Sequence, residues 1–263
     1  MAVPPDEART HPGEAAGPAD PPPVLVRTWL LAVGGILGAK LLSLVEPTGL
    51  LGANLAGVAA VLFVTLPDRR LRLRGEGWER LGLPGAGPGD PVMRRDWARG
   101  ALWALGTCAV VFPLFGLGFW AFSRALPSLP PALAHALAPY GAPAAFTWRA
   151  PEGLLWRIPV QLLVVALPEE LFYRGWMQTS WARATPGAGR AFLGARLGPG
   201  FLATQALFAA GHLVALEPWR LATFFPGLLF GWLRARTGSV AAPVLVHAAS
   251  NLFLATLEAS FYG

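Results

Sequence analysis

Two carboxylates, Glu169 and Glu170, stand side by side at the end of the apolar run Leu162-Leu163-Val164-Val165-Ala166-Leu167-Pro168. Neighbouring side chains on a helix point about 100° apart, so the two do not easily share one partner. Arg174 follows Glu170 by four residues, on the same face and in the favourable order for an ion pair. Glu170 is therefore expected to pair with Arg174, leaving Glu169 for other work. Pro168 leaves the Val164 carbonyl without its helical donor, which kinks the helix or admits water. Phe208 and His212 are also four apart and share a helical face, with Gln205 one turn before Phe208. Gly211 beside His212 allows another helix or a substrate backbone to come close. His247 and Asn251 repeat the spacing, with only Ala248, Ala249 and Ser250 between them.

These residue types suit hydrolysis. Burial raises a glutamate toward the range where it takes a proton from water. Histidine and asparagine donate to a carbonyl oxygen as charge develops on it. A Glu/His/His set is also acceptable to a catalytic zinc ion. Each pair has a plainer reading too: a helix ending at an interface, a hydrogen-bonded packing histidine, an interhelical hydrogen bond. Lys40 and Arg157 lie near the ends of apolar stretches, where long side chains snorkel to the interface. No Ser-His-Asp or Cys-His set is evident. The one cysteine, Cys108, rules out an intrachain disulfide framework and a cysteine-rich zinc site.

The elements that must hold these residues are transmembrane helices. Of 263 residues, 54% are hydrophobic and 14% charged, against about a quarter charged in a soluble domain. That composition excludes an ordinary soluble enzyme and a disordered chain. Apolar stretches run over about 24–45, 48–67, 101–126, 153–176, 198–216, 219–236 and 240–261. The reading is an all-α, polytopic transmembrane helical bundle of about seven spans, with room for eight. Residues 1–23, rich in proline, alanine and glycine, read as a disordered tail. The proline-rich segment 127–152 reads as an exposed loop, or one carrying a short re-entrant helix. Arginines crowd the 68–100 loop, the 174–197 segment and the end of the sixth stretch. The positive-inside rule then places the N-terminus in the cytoplasm and the C-terminus outside. The net charge of +6 is read as orientation in a bilayer, with no nucleic-acid partner.

Taken together, Glu169-Glu170-x-x-x-Arg174, Phe208-x-x-x-His212 and His247-x-x-x-Asn251 resemble the three motifs of the CAAX protease and bacteriocin-processing (CPBP, or Abi) family. Order, spacing and placement in separate spans agree, over about 153–261. The resemblance implies an intramembrane glutamic-type endopeptidase that needs no cofactor, with zinc disfavoured. It implies that Glu169 and His212 activate water, and that His247 and Asn251 line the same site and stabilise the oxyanion. Glu170 and Arg174 would be the supporting ion pair and Phe208 would shape the cavity. The expected partners are the bilayer and a membrane-anchored or lipid-modified protein substrate. The chain divides into the tail (1–23), N-terminal helices with the basic loop (24–152) and a catalytic core (153–263). A single lysine beside many arginines, with abundant alanine, proline and glycine, points to a bacterial inner membrane. The alternatives are a non-catalytic membrane immunity or scaffold protein of the same fold, a zinc-dependent intramembrane protease and a proton-coupled transporter.

Overall fold

The computed structural model describes residues 19–83, 91–137 and 146–262. These form an all-α structure: α1 (Pro22–Ser43), α2 (Leu50–Ala53), α3 (Leu55–Leu73), α4 (Pro91–Ala125), α5 (Pro131–Leu137), α6 (residues 154–184), α7 (Pro199–Gly211), α8 (Phe224–Thr237) and α9 (Ala241–Tyr262). Short 3₁₀ turns connect several of them. One antiparallel hairpin, Arg190–Phe192 with Ala195–Leu197, joins α6 to α7; nothing in the sequence reading anticipated it.

Three stretches among the described residues are long and apolar enough to cross a membrane: Pro22–Ser43, Met93–Ser128 and Ala241–Tyr262. Their outward faces are apolar, with Leu31 61% and Leu102 71% exposed. A soluble protein does not leave such surface to water; this is an integral membrane protein. The remaining apolar stretches form shorter or interrupted helices. α7 and α8 have 13 and 14 residues, or about 20 Å at 1.5 Å per residue, against a hydrocarbon core of about 30 Å.

Several boundaries differ from the sequence reading. Residues 19–23, placed in the tail, belong to the fold: α1 starts at Pro22, where a proline suits the first turn, and Asp20 is buried. The rest of that tail, 1–18, lies outside the described residues. The basic segment 68–100 is helical at both ends, because α3 continues to Leu73 and α4 begins at Pro91. The 48–67 stretch breaks at Asn54 into α2 and α3. In 127–152 the described residues include one seven-residue helix, α5.

α6 is the centre of the molecule. Residues 171–178 are buried one after another, so this part of the helix is covered around its whole circumference. Phe172, Tyr173, Trp176 and Met177 pack with Leu25 and Ile36 of α1, Phe63 and Leu71 of α3 and Phe208 of α7. A second core joins Ala104 of α4, Phe230 and Leu233 of α8 and Val246 of α9. α6 is also irregular. π-helical turns at Val160–Ala166 and Leu171–Gln178 flank the Leu167–Glu170 turn. Pro168 has no N–H to give the Val164 carbonyl, and the widened turn before it is where the ladder is interrupted. The glutamates thus sit on a regular turn between two widened ones.

Candidate active site

Glu170 is fully buried and its Oε1 accepts two hydrogen bonds, from Arg174 Nη1 (2.9 Å) and from His247 Nδ1 (2.8 Å). A carboxylate cannot donate, so Nδ1 of His247 carries the proton. His247 Nε2 is then the nitrogen turned toward Glu169, 3.9 Å from its Oε2. The ring lies parallel to Phe230, with centroids 4.9 Å apart. The ion pair expected between Glu170 and Arg174 is present, and it extends to the histidine of the third motif.

Arg174 is fully buried as well. Its Nη2 donates to Gln205 Oε1 (2.9 Å) and to the Gly227 carbonyl (3.2 Å). The guanidinium lies 4.1 Å from the Phe208 ring centroid, a cation–π contact that compensates part of its lost hydration. Gln205 continues the chain to Gln178 (3.1 Å), and Gln178 donates to the Gly231 carbonyl (2.9 Å). One polar path therefore links α9, α6, α7 and α8 inside an apolar bundle. α8 comes close enough only because position 231 has no side chain. A Cβ there would stand 2.6 Å from Gln205 Nε2 and 2.8 Å from Gln178 Oε1.

His212 caps α7. At this end the backbone N–H groups tighten onto the Ala209 and Ala210 carbonyls, and the Phe208 carbonyl meets His212 Nδ1 at 2.8 Å. The carbonyl only accepts, so Nδ1 is the protonated nitrogen and Nε2 holds the lone pair. Glu169 and His212 line one cavity of about 160 Å³ with Ile36, Ala59, Phe63, Tyr173, Gly211 and Arg220. Glu169 Oε2 makes no hydrogen bond to any described residue.

Asn251 Nδ2 donates to Gln161 Oε1 (2.8 Å), so that one end of α6 is held to α9, and neither Asn251 nor His247 is among the residues lining the cavity. Phe208 stands between the two histidines, 4.7 Å from His212 and 6.1 Å from His247 by ring centroids. Among the described residues no three His, Cys, Asp or Glu side chains are grouped as metal ligands.

Residues 151–253 match the family model described as type II CAAX prenyl endopeptidase, Rce1-like. Over this region the chain is similar to the CAAX protease family. No curated protein and no solved structure matches the chain. The matched region begins just before α6, ends within α9 and contains all three motifs. The match points to a hydrolase of the intramembrane protease kind.

Sequence reasoning missed Gln161, Gln178, Tyr173, Phe230 and Trp29 as neighbours of the site. The two glutamines carried a signal, since an amide in an apolar run asks for a partner. Phe230 carried none, because a phenylalanine in an apolar helix is unremarkable until the fold brings a histidine against it.

Proposed function

We propose that this chain hydrolyses a peptide bond in a membrane-anchored protein, using water activated by Glu169 and His212. The observation that carries the reading is the cavity that Glu169 and His212 line together, with Glu169 Oε2 left without a hydrogen-bond partner. A water held there donates one hydrogen to the glutamate and the other to His212 Nε2, leaving an oxygen lone pair for the scissile carbonyl carbon. Glu169 takes the proton as the carbon–oxygen bond forms. It returns that proton to the amine as the carbon–nitrogen bond breaks. Arg174 and Glu170 act at one remove, by fixing the tautomer and orientation of His247. In this reading 153–263 is the catalytic core and the chain crosses the bacterial inner membrane seven times with its N-terminus in the cytoplasm.

The test compares C-terminal proteomes of membranes from cells carrying the wild-type chain or Glu169→Gln. New C-termini on membrane proteins are expected with the wild type only. Equal patterns from both, with His212→Ala matching them, would sink the assignment and favour an immunity or scaffold role. Activity abolished by chelators and restored only by zinc would instead make the enzyme a metalloprotease.

A further inference from the structure

The scissile carbonyl needs hydrogen-bond donors where its oxygen becomes negative, and the residues expected to supply them already spend one N–H each elsewhere. The Asn251 amide donates to Gln161 and His247 Nδ1 donates to Glu170. Arg220 lines the cavity but is paired with Glu217 and lies over Trp219. Tyr173 remains. Its hydroxyl oxygen accepts a hydrogen bond from Trp29 Nε1 of α1 (3.2 Å), the one hydrogen bond of this hydroxyl among the described residues. A phenol that accepts through its oxygen still has its proton to give. The ring is fixed edge-on against Phe63, Phe172 and Phe208. The hydroxyl lies under Gly211, where a Cβ would come within 2.7 Å of it.

We infer that Tyr173 is a further catalytic residue, whose hydroxyl donates a hydrogen bond to the scissile carbonyl oxygen as the tetrahedral intermediate forms. The inference rests on the glutamate–histidine reading above. The proton stays on the phenol throughout. The donor is set in place before reaction by the indole of Trp29, so no reorganisation is needed when charge appears. Gly211, adjacent to His212 in sequence, has no side chain to displace the hydroxyl from this position.

The test uses the purified full chain and a quenched fluorogenic peptide spanning a junction that the wild type cuts in membranes. Tyr173→Phe is expected to lower kcat about 10²- to 10³-fold, with KM changed little. A matched peptide with sulfur in place of the scissile carbonyl oxygen supplies a readout that a packing role would not move. Sulfur is a poor acceptor, so the wild type should favour the oxygen peptide and Tyr173→Phe should nearly lose that preference. Trp29→Phe keeps the hydroxyl and removes its holder, and serves if Tyr173→Phe does not fold. Its kcat should fall about tenfold. Wild-type kcat and an undiminished oxygen preference in either folded variant, with Glu169→Gln inactive, overturns the role of Tyr173 alone. Wild-type kcat in Glu169→Gln overturns the underlying reading instead.

Discussion

At the scale of single residues, Arg174 has the most to lose. It is an arginine without solvent contact, held by a carboxylate, an amide, a backbone carbonyl and an aromatic face. Arg174→Ala would leave Glu170 buried with only His247 against it, and breaking a buried pair from one side costs about 3–5 kcal/mol. A large fall in the unfolding temperature in detergent is the expected result. Arg174→Lys should recover only part of it, because a point charge cannot reach Glu170, Gln205 and Gly227 at once. The i, i+4 spacing made the Glu170–Arg174 contact readable from sequence. The second hydrogen bond to Glu170 was not readable, because His247 lies 77 residues away and only the packing of α9 on α6 brings it there. The same long-range placement brings Asn251 to Gln161. Spacing along one helix announces a shared face, but not what that face meets.

At the scale of elements, the start of α1 is fastened to the ends of α3 and α6 by charge. Asp20 pairs with Arg70 (2.7 Å) and Arg74 (2.5 Å) and accepts a hydrogen bond from Trp176 Nε1 (3.1 Å). Glu76 bridges Arg74 (3.1 Å) and Arg183 (2.8 Å). Burial works to raise both carboxyls, but the arginines, and Trp176 at Asp20, outweigh it and hold them below their ordinary 3.8 and 4.5. A carboxyl depressed in the folded state stabilises the fold above its ordinary value. That contribution is lost as pH falls through the depressed one. The unfolding temperature should therefore be flat near neutral pH and decline below about pH 4. Asp20→Asn should be less stable at pH 7 and should show a smaller acid decline. An identical decline in the variant would remove Asp20 as its source. The sequence offered only the acidic residue itself, in a proline-rich stretch that looked like tail. The arginines that order it lie 50 and more residues downstream.

At the scale of the whole molecule, composition was enough to reveal the bilayer, and apolar runs were enough to locate the helices. The ends were less legible, since polar residues continue α3 and begin α4 where hydropathy alone marks a loop. The irregularity of α6 was half legible: Pro168 foretold an interruption, but not widened turns on both sides of the glutamates. Topology is open to direct measurement. With Cys108 replaced by serine, Arg95→Cys and Trp148→Cys place single thiols at exposed positions on what should be opposite sides. A membrane-impermeant maleimide applied to intact cells should label position 148 and leave position 95 untouched until the membrane is opened. Labelling of both at equal rates would contradict the proposed orientation.

The cavity wall is assembled from two parts of the chain. Glu169, Tyr173, Gly211 and His212 fall within the matched region, whereas Ile36, Ala59 and Phe63, which face them, come from α1 and α3 outside it. Chemistry and fit are therefore written in different parts of the gene. Change in the first helices can reshape what the cavity admits while the reacting groups stay as they are, so choice of substrate can drift without loss of the reaction.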